Sequence, residues 1–248
     1  MSSWKGKLLS YGGSLVLINS VLSSLAMFMM SFLEVPKGIL KKLDFYMSAF
    51  FWQGDNHNKK YRLLKWEILY LPKDQGGLGI MNLEIQNVCL LSKWLYKLVN
   101  EDGVWQDLLR KKYLKNKTIG KVHWKPRDSN FWSGLMKAKD RFLDLSVFNI
   151  HNGSQTRFSE DKWLGNFTLK EQYPSLYNIT RKKHISVANA MASTPLNISL
   201  RISLVGEKLL KWNELVDEIA FVHSDDQQDS INWSLTRQGS LTVQSMYI

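Results

Sequence analysis

The fold is decided by the stretch Trp4-Lys5-Gly6-Lys7-Leu8-Leu9-Ser10-Tyr11-Gly12-Gly13-Ser14-Leu15-Val16-Leu17-Ile18-Asn19-Ser20-Val21-Leu22-Ser23-Ser24-Leu25. A basic, glycine-bearing lead-in passes into a long apolar run. Apolar side chains then recur at alternating gaps of three and four residues, which places them on one face of a helix. The residues of this predicted face are Leu15, Ile18, Leu22, Leu25, Met29 and Phe32. We therefore predict a helix up to about Leu33 that needs a partner to cover this face.

The partner is expected directly downstream, between Pro36 and Trp52. Proline suits the first turn of a helix, and apolar residues keep helical spacing up to Trp52. The two helices would form a hairpin that needs further helices to complete a bundle. Further helices are predicted after the N-cap candidates Asn82 and Ser129, and from about Ser203 to Val222. The glycine-rich segment between them, residues 73–80, fits no phosphate-binding pattern and reads as a tight turn.

The periodicity changes after residue 145. Residues 147–151 and 154–158 flank Asn152-Gly153, which is the strongest short signal for a β-hairpin. Residues 231–235 and 241–243 flank Gln238-Gly239 in the same manner. We therefore predict a fold that is mainly α with two small β-hairpins (α+β).

Charge is distributed unevenly along the 248 residues. Residues 1–200 hold 29 Lys and Arg against 15 Asp and Glu, whereas residues 201–248 hold 4 against 7. Between Arg110 and Lys125 the chain is strongly basic, carries no acid, and includes Tyr113, His123 and Trp124. Basic groups release counterions from phosphates and aromatic rings stack on bases, so this run indicates a nucleic-acid surface. A solvated helix end followed by a loop is the alternative interpretation.

Catalytic chemistry is not visible in the sequence. The five histidines are widely separated, and the single cysteine, Cys89, lies in an apolar run that suggests burial. The only two adjacent aspartates, Asp225 and Asp226, lie in a polar segment that we interpret as a solvated loop. We therefore expect no catalytic residue, no metal, no cofactor and no small-molecule substrate.

Short sequence motifs follow one another through nearly the whole chain. They are Ser3-Trp4-Lys5-Gly6-Lys7-Leu8-Leu9-Ser10 with Gly12-Gly13, then Pro36-Lys37, Phe51-Trp52-Gln53-Gly54, Lys65-Trp66, Pro72-Lys73 with Gly76-Gly77-Leu78-Gly79, Lys93-Trp94-Leu95, Trp105, Lys112-Tyr113, Phe131-Trp132, Phe158-x-Glu160-Asp161-x-Trp163-Leu164-Gly165, and Ser245-Met246-Tyr247. In this order and spacing they resemble the region after the polymerase palm in plant-type LINE (non-LTR) retrotransposon reverse transcriptases. Ser14 stands where that family usually has Arg.

The resemblance implies a division into three segments. Residues 1–58 would be a thumb-like helical segment, residues 59–145 a helical linking region with the basic run, and residues 146–248 an α+β segment leading toward a zinc-binding domain. The chain would start after the palm, whose Phe/Tyr-x-Asp-Asp motif it lacks, and would stop before the zinc ligands. We therefore expect a catalytically incomplete fragment without polymerase activity.

The fragment is predicted to bind RNA or an RNA–DNA hybrid weakly and without sequence preference, in the nucleus or the cytoplasm. The residues predicted to contact phosphates are Lys5, Lys7, Lys59, Lys60, Arg62, Arg110, Lys111, Lys112, Lys115, Lys117 and Lys121. One alternative is a transposon remnant, or an interaction protein, without a nucleic-acid role. The second is a membrane-anchored protein, because no charged residue lies between Lys7 and Glu34. We expect no membrane partner, because Gly12, Gly13 and the serines interrupt this run.

Overall fold

The computed structural model describes residues 9–52, 64–115 and 117–247. The helices are α1 (Tyr11–Met30), α2 (Lys37–Trp52), α3 (Trp66–Leu69), α4 (Leu83–Asn100), α5 (Val104–Leu109), α6 (Asn130–Asp144), α7 (Leu169–Gln172), α8 (Pro174–Ile179), α9 (Val187–Ala190), α10 (Glu207–Ile219) and α11 (Val243–Met246). The strands are β1 (Ser146–Asn149) and β2 (Ser230–Trp233). About 53% of the described residues are helical, and the described strands form one two-stranded antiparallel sheet. The prediction of a mainly α fold with a small β component is confirmed.

Two compact units divide the chain. The first consists of Met1–Leu91, Ser129–Gly134 and Tyr247–Ile248. The second consists of Ser92–Asp128 and Leu135–Met246. The three segments predicted from the sequence stay a prediction, because compactness alone does not test the roles assigned to them.

The core of the first unit joins α1 to α2, as predicted. Ile18 and Met30 of α1 are fully buried in one apolar cluster with Met47 and Phe51 of α2. The ring of Tyr11 lies 5.7 Å from that of Phe51 at the start of α1. Burial of apolar side chains of this size contributes about 1.5–3 kcal/mol each, so this cluster stabilises the pair.

Helix α1 does not bury the face that the sequence predicted. The segment Ile18–Leu22 is π-helical, and the hydroxyl of Ser23 donates to the carbonyl of Ile18 at 3.0 Å, five residues back. A π turn adds one residue to the helical repeat, so the buried face shifts along the sequence beyond it. Leu25 and Met29, predicted to be buried, are therefore 68% and 50% exposed. The predicted face is wrong after the π turn.

The length and composition of α1 alone would also allow it to cross a membrane. Core helices of soluble proteins and N-terminal signal sequences can share this length and composition, and 22% of the most apolar stretch of α1 is buried.

The glycine-rich segment forms the tight turn that was predicted. Gly76 and Gly79 have φ values of 84° and 65°, in the left-handed region that favours glycine. A Cβ on Gly77 would lie 1.9 Å from the carbonyl oxygen of Leu71, so the backbone there approaches too closely for any side chain. The turn returns the chain to α3, where Ile80 N donates to the carbonyl of Leu69 at 3.1 Å.

The second unit shows that the two predicted hairpins are wrong in their pairing. Strand β1 pairs with β2 in antiparallel register, Ser146 opposite Trp233 and Asn149 opposite Ser230. The first strand of one predicted hairpin therefore pairs with the first strand of the other, and 80 residues of sequence separate these two strands. The rings of Phe142 and Trp233 stack at 5.9 Å below this sheet, and both side chains are buried.

The buried carboxylate of Asp229 explains why the Asn152-Gly153 turn forms no hairpin. The backbone N–H groups of His151 and Gly153 donate to its Oδ1 at 3.0 and 2.8 Å. The N–H of Gln155 and the hydroxyl of Thr156 donate to its Oδ2 at 3.0 and 2.9 Å. Donors that a hairpin ladder would require are thus committed to a side chain that is 1% exposed.

Candidate nucleic-acid interface

The predicted phosphate contacts fall into two groups. Lys5, Lys7, Lys59, Lys60 and Arg62 lie outside the described residues. The others belong to the basic run in the second unit: Arg110, Lys111, Lys112, Lys115, Lys117 and Lys121.

Arg110 serves the fold of the second unit. Its Nε donates to the carbonyl of Leu98 at 3.1 Å, and its Nη2 donates to that of Glu101 at 2.9 Å. Its Nη1 lies 2.6 Å from the carboxylate of Asp102. Carbonyls at the end of a helix have no partner within the helix, so this guanidinium caps α4. Few of its donors remain for a phosphate.

Three lysines follow Arg110 on an exposed helix end. Helix α5 continues as a π-helical segment, Arg110–Leu114, and stops at Lys115, whose φ of 53° lies in the left-handed region. The side chains of Lys111, Lys112 and Lys115 are exposed. These ammonium groups are accessible to a large polyanion.

Lys117 and Lys121 line an open cavity of about 810 Å³, which we name the basic cleft. All of its lining residues belong to the second unit. The basic lining residues are Lys117, Lys121, His123, Arg157, Lys170 and His184. The acidic lining residues are Asp144, Glu160 and Glu171, and the remaining two are Gly120 and Thr168.

Arg157 forms the base of an ion cluster with Glu160 and Asp161. Its Nε and Nη2 donate to Oδ1 of Asp161 at 3.0 and 2.6 Å, and its Nη1 donates to Glu160 at 2.7 Å. Burial acts to lower the pKa of Arg157, but the hydrogen bonds to Asp161 outweigh it, so the pKa is raised. Arg157 therefore stays charged and binds the carboxylates of both Glu160 and Asp161.

Glu160 receives two more hydrogen bonds. The hydroxyl of Tyr177 donates at 2.9 Å, and Nδ1 of His184 lies 2.9 Å from Oε2. Partial burial acts to raise the pKa of Glu160, but these hydrogen bonds and the charge of Arg157 outweigh it and lower the pKa. Burial and the same contact raise the pKa of Tyr177 to about 12. The charge of Glu160 is therefore largely compensated inside the cluster.

The loop that carries Lys117 and Lys121 is fixed from below. A Cβ on Gly120 would lie 2.3 Å from Nε of Arg157, so only glycine allows the guanidinium to lie against this backbone. The buried Lys139 donates to the carbonyl of Val122 at 2.8 Å. Burial lowers the pKa of Lys139, and the carbonyl contact compensates part of the desolvation. The loop thereby lies against the buried Lys139 and the partly buried Arg157.

Lys170 approaches the basic cleft from the other side, at the start of α7. Thr168 caps this helix in a capping box, in which its hydroxyl accepts from Glu171 N and the carboxylate of Glu171 accepts from Thr168 N at 2.9 Å. The hydrogen bonds from Thr168 lower the pKa of Glu171. The ammonium of Lys170 lies 5.4 Å from the ring centroid of Tyr177.

Charge pairing differs among the residues of the basic cleft. Lys117, Lys121 and Lys170 form no ion pair with any carboxylate in the part of the chain that the structure describes. Glu160, by contrast, is already paired with Arg157.

Across residues 9–52, 64–115 and 117–247, no three His, Cys, Asp or Glu side chains come together as a metal site. Asp225 and Asp226 are exposed, as predicted, and Asp225 Oδ2 lies 3.1 Å from His151 Nδ1.

No protein-family model matches the chain. Its sequence is 34% identical to a putative ribonuclease H protein of Arabidopsis thaliana over 183 residues, which is 69% of this chain and 28% of that protein. It is 25% identical to an uncharacterized mitochondrial protein of Arabidopsis thaliana over 143 residues, which is 57% of this chain and 93% of that protein. The chain thus spans just over a quarter of the first relative.

Together with the phrases in the sequence, these relatives point to a protein of retrotransposon origin. Neither relative is named as a LINE reverse transcriptase.

Sequence reasoning missed several residues that shape this site. Lys170 lies 49 positions beyond Lys121 and next to no other predicted contact, so no local pattern connects it to the basic run. Gly120 and Lys139 likewise carry no local signal. Two signals were available: the Glu160-Asp161 phrase and the spacing of Thr168 and Glu171, which fits a capping box.

Proposed function

We propose that this chain is a catalytically incomplete fragment of a LINE-type reverse transcriptase that binds nucleic-acid backbones in the basic cleft. The binding is weak and independent of sequence, and its ligand is RNA or an RNA–DNA hybrid. The observation that carries the proposal is the convergence of Lys117, Lys121 and Lys170 on one open cleft, with Glu160 held by Arg157. The similarity to a putative ribonuclease H protein supports the retrotransposon origin.

The chemistry of the cleft fits phosphates better than bases. Lysine ammonium groups contact phosphates as point charges and carry no sequence information. Exposed Lys111, Lys112 and Lys115 extend the positive surface along the chain, so a backbone longer than the cleft meets further cations. Lys5, Lys7, Lys59, Lys60 and Arg62 remain predicted contacts outside the described residues.

Charge reversal in the basic cleft tests the proposal. Lys117→Glu, Lys121→Glu and Lys170→Glu combined should weaken binding to a fluorescent RNA–DNA hybrid at least tenfold in anisotropy titrations at low salt, because three phosphate contacts become repulsive.

The matched control reverses three exposed cations of the same unit outside the cleft, Lys93→Glu, Arg201→Glu and Arg237→Glu, at equal net charge. We expect a change of less than about threefold for the control. Equal loss in both variants would show that net charge alone drives binding, and no binding by the unaltered chain would favour the remnant without function.

Catalytic incompleteness has its own test. With magnesium, the chain should extend no primer on an RNA template and should not degrade the RNA strand of a hybrid. A primer extended above the level of a mock purification would contradict the proposal. Cleavage of the RNA strand would instead favour the activity that names the relative in Arabidopsis thaliana.

A further inference from the structure

Helix α1 carries a second apolar surface that faces away from the core of the first unit. We name it the apolar stripe and define it as Val16, Val21, Leu25, Phe28 and Met29. Phe28 and Leu25 are 70% and 68% exposed, and Val16 is 65% exposed. Because the π turn lengthens the repeat, Val16 and Val21 lie above each other, and Leu25 and Phe28 follow at helical spacing.

Two serine hydroxyls beside the apolar stripe are already hydrogen-bonded. The hydroxyl of Ser20 donates to the carbonyl of Val16 at 2.6 Å, and that of Ser24 donates to the carbonyl of Val21 at 2.9 Å. A partner that covers these small side chains therefore leaves no hydroxyl donor unpaired, which is the usual cost of burying serine. No charged residue lies between Lys7 and Glu34.

The opposite side of α1 is also apolar. Ile18 and Met30 are fully buried in the core of the first unit. A helix that is apolar on both sides is normally covered on both sides. Exposed apolar patches of several hundred square ångströms mark interaction surfaces on soluble proteins.

We propose that the apolar stripe is the contact surface between two copies of this chain. Its five side chains are 44–70% exposed, which gives the stripe roughly 500 Å² per copy, within the size of apolar patches that mark interaction sites. Two copies would bury about 1,000 Å² before flanking residues are counted, which is just below the range of about 1,200–2,000 Å² for specific interfaces. A twofold arrangement brings the same surface of each copy together. Because the stripe holds no charge, the net charge of +11 on each chain does not oppose the contact locally.

The area predicts a weak dimer that depends on concentration. Sedimentation equilibrium of the full chain should show monomer at about 1 µM and a growing dimer fraction at tens of micromolar. Leu25→Glu combined with Phe28→Glu should raise the dimer dissociation constant at least tenfold, because it places charges in the contact. Both side chains are mostly exposed, so circular dichroism should show an unchanged helix content.

The control is Phe221→Glu, which alters a side chain that is 82% exposed in the second unit. It should leave the dimer dissociation constant within about twofold of that of the unaltered chain. A chain that stays monomeric up to 100-fold higher concentration would overturn the proposal, as would a dimer that the double variant does not weaken. Co-sedimentation of a monomeric chain with phosphatidylcholine–phosphatidylserine vesicles, lost in the double variant, would also overturn it and assign the stripe to a membrane surface.

Discussion

Asp229 organises the irregular part of the second unit through four hydrogen bonds. All four groups that contact the Asp229 carboxylate are donors. In Asp229→Asn, the amide NH2 would face some of these donors, so one or two buried N–H or O–H groups would lose their acceptor. We expect the free energy of unfolding to fall by about 2–3 kcal/mol. Urea denaturation followed by tryptophan fluorescence measures the change, since Trp233 ends the neighbouring strand.

Asp226→Asn is the control for this prediction, because Asp226 is an exposed carboxylate three positions away. It should change the urea midpoint by less than the experimental error. Equal midpoints for Asp229→Asn and Asp226→Asn would show that the buried carboxylate is dispensable.

Glu160 makes the stability of the second unit depend on pH. Its pKa is lowered in the folded chain, so it stabilises the fold at pH values above its unfolded pKa, near 4.5, and loses this contribution as the pH falls through the folded value. We therefore expect the urea midpoint to fall between about pH 5 and pH 3. Glu160→Gln should flatten this part of the profile, because the amide does not titrate.

Asp217→Asn removes one exposed carboxylate of α10 and serves as the comparison. Its profile should follow that of the unaltered chain. A Glu160→Gln profile with the original slope would mean that other carboxylates account for the acid dependence.

Short segments between the helices position the basic cleft. One of them is the turn Ile119–Lys121, in which the backbone of Gly120 lies against Arg157. Gly120→Ala would place a methyl group 2.3 Å from Nε of Arg157, whose guanidinium is held by Asp161 and cannot move freely. We expect a loss of about 1–3 kcal/mol in stability and a lower affinity for the hybrid, because the loop bearing Lys117 and Lys121 must shift. Differential scanning calorimetry and anisotropy measure the two effects.

Gly38→Ala provides the contrast, because nothing lies within 4 Å of the added Cβ and the position belongs to α2. Alanine in a helix is favoured over glycine by about 0.5–1 kcal/mol, so this variant should be neutral or slightly more stable. A Gly120→Ala chain that is as stable as Gly38→Ala would contradict the close approach to Arg157.

Helices with caps and regular spacing were predictable from the sequence. Asn82 accepts from Glu84 N at 3.0 Å and starts α4, and Ser129 accepts from Trp132 N at 3.2 Å and starts α6. The register of α1 was not predictable, because apolar spacing assumes a constant repeat and carries no signal for the π turn Ile18–Leu22.

Strand pairing and the basic cleft were beyond local patterns for a related reason. The Asn152-Gly153 signal is local, whereas the acceptor that redirects it, Asp229, lies more than 70 residues away. The basic run predicted Lys117 and Lys121 as contacts, but Lys170 reaches the cleft only through the folded path of the second unit. Contacts between residues far apart in the chain decide both features, and no local pattern in the sequence signals such contacts.

At the scale of the whole molecule, the distribution of charge agrees with the proposed role. The basic excess lies in residues 1–200, which include every lysine of the cleft, while residues 201–248 carry a net charge of −3. Long-range attraction of a polyanion would therefore act on the part of the chain that holds the cleft.

Salt dependence of hybrid binding tests the central claim most directly. For the unaltered chain, the logarithm of the association constant should fall linearly with the logarithm of the salt concentration. In the Lys117→Glu, Lys121→Glu, Lys170→Glu variant, the slope should become shallower by about 2–3, because each lost phosphate contact removes roughly 0.7–0.9. A slope that is the same in both chains, or an affinity that does not fall with salt, would contradict phosphate binding in the basic cleft.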